Sequence, residues 1–350
     1  MLSSDWDGIF KSLSDAKDLT SDQTSWAMSQ ILSGSAETEI IKKFLLSLKN
    51  KGESPQEVID LVETMYQHAQ LINIPDRCVD VVGTGGDGAN TINISTAAAI
   101  ITTAAGARTI KHGNRAATSK SGSADLLEAF GIDINLNAAA VAECVRKIGI
   151  GFAFAPVFHP AMKHAAQARK ELGVPSIFNI LGPLANPARP VAVAIGVARA
   201  DLLKLVAEVL ARRGCQGFVF RGDDGLDEVS VSSSTTVYVI KDGEIRLEVF
   251  DPANLGLERI SIDQLKGGTA EENVAITKRI FAGERSAYRV AVLLNAAASI
   301  AAFKGDLHLG VEQQFANGYV LAKQAVDSGA AAHLVERWAE LSNELAKSSL

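Results

Sequence analysis

Four stretches of the chain gather residue types suited to binding phosphate, metal or an aromatic acid. The first is GTGGDGANTINIST, Gly83 to Thr96. Its glycines let the backbone approach a ligand and aim several N–H groups at one anion, while Asn90, Thr91, Asn93, Ser95 and Thr96 add side-chain donors. Ser95 or Thr96 is expected to cap the helix that follows, whose N-terminal partial positive charge favours the same anion. Gly83, Gly85 and Gly88 satisfy GxGxxG, but the helix starts several residues too late and no acid follows at the spacing that holds a ribose hydroxyl, which disfavours a nicotinamide site. No Lys-Ser or Lys-Thr pair follows the glycines, so Walker A fails as well. A tight turn whose glycines merely permit packing is the competing reading.

The second stretch, KHGNRAATSKSGSAD, runs from Lys111 to Asp125. Lys111, Arg115 and Lys120 supply positive charge, and Asn114, Thr118, Ser119, Ser121 and Ser123 supply hydrogen bonds, a set suited to a polyphosphate. Lys120 alone reads equally well as a solvated charge, and His112 alone as structural. The third, RGDDGLDEVS, holds the adjacent acids Asp227 and Glu228. Beside phosphate loops such a pair suits Mg²⁺, which takes one or two protein carboxylates plus water and substrate phosphates. Consecutive strand side chains point to opposite faces, so these two converge only from irregular backbone. In the fourth, HPAMKHAAQARKELG, Pro160 is expected at N1 of a helix that sets Met162, Ala165, Ala166 and Arg169 on one face. An arginine there meets an anionic or aromatic ligand by a forked hydrogen bond or stacking, or lies along the surface with its stem packed.

The elements that must position these residues follow from the chain's grammar. The first seventy residues read as helices, with capping boxes at Thr20/Gln23 and Ser54/Glu57, Pro55 at an N1 position, and Ile40, Ile41, Phe44, Leu45 and Leu48 on one apolar face. From Cys78 strands and helices alternate: CVDVVG, STAAAIITTAAGA, ARTIKHG, SADLLEAFGI, then VAVAIGV, ADLLKLVAEVLARRG and QGFVFRG. That alternation implies parallel strands with crossover helices, whose carboxyl edge gathers the loops. TTVYVIK and EIRLEVF flank Asp242-Gly243, a hairpin signal that adds antiparallel strands. The expected architecture is α/β: a small all-helical domain plus a large domain with a mixed, mainly parallel sheet.

Composition limits the partners. At 350 residues with 47% apolar and 21% charged residues, the chain has ample material for a globular core. Its net charge of −6 opposes nucleic acid and anionic membranes. Three widely spaced cysteines without a CxxC pair point to reduced thiols in a cytosol, and the N-terminus lacks a signal-peptide pattern. Gly88 to Ala107 is free of charge but polar in its first half, so a loop entering a buried helix is expected rather than a membrane span. A cytoplasmic protein with neither nucleic-acid nor membrane partners is the expectation.

Together with IFNILGPLANP and LNAAASI, the four stretches closely resemble the anthranilate phosphoribosyltransferase family, in its order and spacing over nearly the whole chain. The resemblance implies a fold similar to class II nucleoside phosphorylases, with residues 1–72 and about 163–187 forming the helical domain and 73–162 with about 188–350 the α/β domain. It implies a homodimer, Mg²⁺ at two ions per site, and transfer of phosphoribosyl from phosphoribosyl diphosphate to the amine of anthranilate with release of diphosphate. Carried over by position, Gly83, Gly86, Asp87, Thr91, Asn93, Ile94, Ser95 and Thr96 resemble the diphosphate and ribose loop. Lys111, His112, Gly113, Asn114, Arg115, Ala116, Ala117, Thr118, Ser119 and Ser123 resemble the remaining phosphoribosyl contacts. Ser95 resembles a ligand of one Mg²⁺, and Asp227 and Glu228 those of the second. Gly83, Asn114, His159 and Arg169 resemble the anthranilate contacts. Lys111, Asn114 and Arg169 would act by positioning and electrostatics, with no general base assigned.

Two departures stand out. Ala117-Thr118 replace a common valine-serine pair, and Arg221 stands where a histidine is common, adding a cation expected near Asp227 and Glu228. The alternatives are a pyrimidine nucleoside phosphorylase, disfavoured by the glycine loop, and a non-enzymatic nucleic-acid binder, disfavoured by the charge.

Overall fold

A computed structural model describes residues 5–116 and 119–348. The expected contacts Ala117 and Thr118 lie outside the described residues. The chain opens with α1 (Trp6–Ser14), α2 (Ser21–Leu32), α3 (Thr38–Lys51) and α4 (Pro55–Gln67). Both capping boxes form, at Thr20/Gln23 and at Ser54/Glu57 with Pro55 in the first turn. Each contributes about 1 kcal/mol by satisfying orphan N–H groups. Ile41, Phe44, Leu45 and Leu48 of α3 are buried, and Ile40 is half-buried at the edge of the stripe.

Strands and helices then alternate: β1 (Val79–Gly83), α5 (Ile94–Ala104), β2 (Thr109–Gly113), α6 (Ser123–Ala129), α7 (Ala138–Ile148) and β3 (Ile150–Phe154). Three helices follow, α8 (Ala155–Phe158), α9 (Lys163–Leu172) and α10 (Phe178–Leu184), before β4 (Ala192–Gly196), α11 (Ala200–Arg212) and β5 (Gln216–Gly222). The hairpin β6 (Thr235–Lys241) and β7 (Glu244–Phe250) precedes α12 (Ala270–Phe281), α13 (Ala287–Lys304), α14 (Val311–Asp327) and α15 (Ala330–Ser348). Asp242 and Gly243 both have positive φ, 50° and 83°, as a two-residue hairpin turn of the primed type requires.

The seven strands form one sheet in the order β3-β2-β1-β4-β5-β6-β7. The first five are parallel and the hairpin strands antiparallel. From β1 the chain winds to β2 and β3, then returns to the other side of β1 as β4 and β5. The order therefore reverses between β1 and β4, and a crevice opens above their carboxyl ends.

One face of the sheet is covered by α5, α13, α14 and α15. Of the described helices only α13 is long and apolar enough to cross a bilayer, and it is mostly buried within the protein. Its covered faces explain its nearly continuous apolar sequence. The other face packs on α11, which joins it to the helical domain through α4. Helices α9 and α10 pack on the N-terminal helices, α9 against α2 and α3, α10 against α4 and β2.

The sequence reading holds no strand at Ile150–Phe154, yet β3 forms there at the sheet edge with all five residues buried. The expected helix over HPAMKHAAQARKELG is divided: Pro160–Met162 is a 3₁₀ turn preceded by His159, and the α-helix begins at Lys163. Its buried residues are Ala165 and Ala168, so Ala166 and Arg169 fall outside the packed stripe and are exposed.

Candidate active site

The loops after β1, β2 and β5 meet at the carboxyl edge of the sheet. The loop after β1 holds Gly85, Gly86 and Gly88 at positive φ, together with Asn90 at 52°. Its second half is fastened by backbone bonds: Thr91 pairs with Lys266, Ile92 N–H donates to the Leu265 carbonyl at 3.0 Å, and Gly267 N–H donates to the Asn90 carbonyl at 2.8 Å. The expectation that Ser95 or Thr96 caps α5 is corrected: Asn93 precedes the helix, and Ser95 and Thr96 lie in its first turn. The side chains of Ile94 and Thr96 are buried, whereas Ser95 is half-buried.

Asp227 and Glu228 do come from irregular backbone, between β5 and β6. The Asp227 carboxylate accepts from Gly85 N–H at 2.6 Å, joining the acidic turn to the glycine loop. The backbone N–H of Ser95 faces Glu228 and favours its ionised form. Burial pushes Asp227 up to about 7, with the charge and hydrogen bonding of Asp87 adding to the effect. Glu228 is raised well above the usual carboxylate range by burial and by Asp227, against the opposing pull of Lys111.

Lys111 is only 2% exposed. Its ammonium donates to the Val81 carbonyl at 2.5 Å and to Ser95 Oγ at 3.3 Å. Burial lowers its pKa, opposed by Asp80, Glu228 and Asp227. On the opposite face of β1 and β2, Asp80 accepts from His112 N–H at 3.3 Å and from Asn186 Nδ2 at 2.8 Å. Asn186 also donates to the Ile110 carbonyl at 2.9 Å, pinning the chain between α10 and β4 to both strands. The His112 ring lies 5.3 Å from that of His159. Burial, with His159 contributing, depresses His112 to about 3, so its imidazole is neutral. His159 shares a 2.7 Å hydrogen bond with the Ala185 carbonyl.

The loop after β2 is held by Asp125, which accepts from Ala116 N–H at 3.1 Å and Gly122 N–H at 2.8 Å. Asn114 is exposed, its Oδ1 accepting from Arg115 N–H at 2.7 Å. Ser123 Oγ donates to the Asn114 carbonyl at 3.2 Å, and Ser119 is exposed. Arg115 is turned away from the glycine loop: its guanidinium pairs with Asp125 and Glu128. Arg169 stands apart from the phosphate loops on α9, its guanidinium 5.4 Å from the Phe178 ring. Arg221, expected beside the acids, instead donates to the carbonyls of Ala198 at 2.8 Å and Gly222 at 3.2 Å.

Three buried asparagines to which the sequence reading gives no role hold the site together: Asn186 and Asn295, inside the quoted IFNILGPLANP and LNAAASI, and Asn273. Asn295, on α13, accepts from Val229 N–H at 2.8 Å and donates back to the Val229 carbonyl at 3.1 Å, directly behind Glu228. The signal was present, since an asparagine within LLNAAASIAA interrupts an otherwise apolar run and must find partners.

Asp227 and Glu228 thus lie side by side, with Asp87 and the Lys111 ammonium within electrostatic reach. Buried hard oxygen donors held partly protonated fit Mg²⁺, whose charge would favour their ionised forms. Among the described residues no three His, Cys, Asp or Glu form a metal-holding group.

A family described as "Glycosyl transferase family, a/b domain" matches residues 75–332, and "Glycosyl transferase family, helical bundle domain" matches residues 8–69. Anthranilate phosphoribosyltransferase of Rhodococcus jostii (strain RHA1) is 51% identical over 343 residues, 98% of this chain and 95% of that protein. The chain belongs to the anthranilate phosphoribosyltransferase family. It is a pentosyltransferase of tryptophan biosynthesis. The crystal structure of the Thermus thermophilus enzyme superposes with a TM-score of 0.88 at 36% identity, covering 96% of this chain and 99% of that one. The Saccharomyces cerevisiae enzyme in complex with phosphoribosyl diphosphate and Mg gives 0.87 at 28% identity, covering 97% and 98%. These relatives favour neither of the two alternative functions.

Proposed function

We propose that the edge formed by the loops after β1, β2 and β5 binds Mg²⁺-loaded phosphoribosyl diphosphate and transfers its phosphoribosyl group to the amine of anthranilate. The observation that carries this reading is the direct bonding of the three segments: Asp227 to Gly85 N–H, and Lys111 to Ser95 Oγ. Gly83, Gly86, Asp87, Thr91 and Asn93 through Thr96 hold the diphosphate and ribose. Lys111 through Ser119, with Ser123, complete the phosphoribosyl contacts, except that Arg115, paired with Asp125 and Glu128, orders the loop. Ser95, Asp227 and Glu228 hold Mg²⁺, at two ions per site. When bound, Mg²⁺ neutralises charge on the departing diphosphate.

Rupture of the bond from ribose C1 to the diphosphate oxygen leaves the electron pair on the diphosphate and positive charge on the sugar. Lys111 and the loop N–H groups are fixed before the reaction and stabilise that separation without reorganising. Anthranilate's neutral amine supplies the electron pair for the new C1–N bond and then releases one proton to water or to the departed diphosphate, so placement matters more than a base. Gly83, Asn114, His159 and Arg169 supply that placement. With one ring nitrogen bonded to Ala185, His159 offers chiefly its ring face.

The domains run 1–72 with about 163–187 and 73–162 with about 188–350, supported by the packing of α9 and α10 on the N-terminal helices. The protein works as a cytoplasmic homodimer. Its three buried, unpaired cysteines suit a reducing compartment.

Loss of anthranilate fluorescence in the presence of phosphoribosyl diphosphate and Mg²⁺ tests the function, and no loss would overturn it. Lys111→Ala and Asp227→Asn each lower turnover by more than about tenfold, the scale of one fixed charge in a dry site. Wild-type rates in both would remove the site assignment.

A further inference from the structure

Asn273 of α12 belongs to none of the loops that carry the proposed chemistry. It is 1% exposed, and its side chain is the midpoint of a chain of hydrogen bonds spanning the site. Gly268 N–H donates to Asn273 Oδ1 at 2.9 Å, Asn273 Nδ2 donates to Asn93 Oδ1 at 2.9 Å, and Asn93 Nδ2 donates to the Ser121 carbonyl at 2.9 Å. Ser121 Oγ returns a bond to Asn93 Oδ1 at 3.3 Å. The polarity is forced from both ends: a backbone N–H only donates and a backbone carbonyl only accepts, so neither amide has an equivalent flipped state. One side chain therefore fixes the glycine loop, the loop after β2 and the segment ahead of α12 in a single arrangement.

That segment lies flat against the glycine loop through the Thr91–Lys266, Ile92–Leu265 and Gly267–Asn90 backbone contacts. A Cβ on Gly267 would stand 2.8 Å from Asn273 Oδ1 and 2.9 Å from the backbone of Ile92, which marks how closely the strap is seated. Gly267 is outside the left-handed region, so this closeness, not backbone conformation, is what a larger residue would disturb.

We infer that Asn273 is a positioning residue for phosphoribosyl diphosphate: it holds Asn93, and through Asn93 both anion-binding loops, in the geometry that accepts the diphosphate. The inference rests on the reading of Gly83–Thr96 as the diphosphate loop. Asn273→Asp keeps the volume and the acceptor for Gly268 but turns a carboxylate oxygen on Asn93 Oδ1. Asn93 has no escape by flipping, because its own oxygen would then face the Ser121 carbonyl.

The test uses the full chain and measures kcat, both KM values and thermal stability for Asn273→Asp, Gly267→Ala, Asn93→Ala and the Asn93→Ala/Asn273→Asp double variant. Asn273→Asp is expected to raise KM for phosphoribosyl diphosphate about tenfold, the effect of one lost buried hydrogen bond. KM for anthranilate should stay within about twofold, and the double variant should be no worse than Asn93→Ala, since the two side chains act through one bond. A lower melting temperature with KM for phosphoribosyl diphosphate unchanged, or losses that multiply in the double variant, overturns the inference. If Asn273→Asp does not fold, Gly267→Ala carries the same KM comparison. An Asn93→Ala enzyme with unaltered KM for phosphoribosyl diphosphate would instead overturn the loop assignment itself, and the inference with it.

Discussion

Gly83→Ala isolates one contact at the centre of the proposed site. Gly83 is outside the positive-φ region, so alanine is tolerated by the backbone there. The added Cβ would lie 2.3 Å from Asp227 Oδ2 and 2.9 Å from its Cγ. Restoring ordinary contact requires the carboxylate or the end of β1 to retreat by roughly 1 Å. The same oxygen accepts from Gly85 N–H at 2.6 Å, so that retreat carries the bond beyond useful length. Misplacing a catalytic group by about 1 Å costs on the order of 100-fold, or ~2.7 kcal/mol of transition-state stabilisation. Steady-state assays by anthranilate fluorescence should therefore show kcat/KM reduced by about that factor, with saturation by Mg²⁺ shifted to higher concentration. A methyl group that harmed anthranilate binding alone would act equally in the presence or absence of the carboxylate. Combining Gly83→Ala with Asp227→Ala separates the two cases, because without the carboxylate only the residue 227 carbonyl remains near the added Cβ, at 3.3 Å, and a shift of a few tenths of an ångström relieves it. The double variant should be no slower than Asp227→Ala. A Gly83→Ala enzyme within threefold of wild type, or a further full loss in the double variant, refutes the reasoning.

Other outcomes follow from the same geometry. Asn295→Ala strands the N–H and carbonyl of Val229 in a buried place, which should lower unfolding free energy by about 2–4 kcal/mol in urea titration; a loss under about 0.5 kcal/mol would contradict the clamp. Burial, partly offset by Lys111, raises Asp80 to about 6, above the carboxyl value of the unfolded chain. Its stabilising protonation is complete below about pH 4 and is lost as pH rises through 6, roughly 3 kcal/mol in all. Wild type should lose that amount relative to Asp80→Asn between pH 4 and 7, and a pH-independent difference would refute it. Arg169→Ala should raise KM for anthranilate about tenfold while barely changing that for phosphoribosyl diphosphate; equal losses would remove its role.

The parts of the fold that repeat a local rule were readable from the residues. Capping boxes, the Asp242-Gly243 turn and the apolar strands from β4 to β7 each declare themselves within a few positions. The glycine loop and the acidic corner were readable because their residue types are costly anywhere except at a ligand site. β3 escaped because IGIGFAFAPVF is a short apolar run framed by glycine and proline, without the alternation or length that separates a buried strand from a loop. Arg115 was read toward phosphate because its charge is visible in the sequence, while its partner Glu128 sits a full helix away and becomes its neighbour only when α6 forms. The roles of Asn186 and Asn273 were invisible for a related reason: an asparagine reveals what it holds only once the partner backbone is in place. Ser95 and Thr96 were assigned two and three positions too late, inside the helix, since Asn93 already serves as the residue ahead of α5.

Four of the five parallel strands end on glycine, at Gly83, Gly113, Gly196 and Gly222. None of them has positive φ, so conformation does not demand glycine there. What demands it is approach. A Cβ would meet Asp227 Oδ2 at 2.3 Å from Gly83, the Asp227 carbonyl at 1.7 Å from Gly196, Ser123 Oγ at 2.3 Å from Gly113, and Asp224 Oδ1 at 2.3 Å from Gly222. The missing side chains make the carboxyl edge flush, and the loops from three different strands fold back across it until their polar groups touch. Gly83 and Gly196 are register partners, so Asp227 lies over a strip with no side chain on either side. β3 ends instead on Phe154, beneath the guanidinium of Arg115 at 5.6 Å. The row of glycines therefore stops where a ring rises from the sheet, and that is also where Arg115 turns its charge toward α6 and away from the glycine loop. A strand-terminal glycine repeated along one edge is thus a statement about how closely the loops at that edge must lie, made by the scaffold before any ligand arrives.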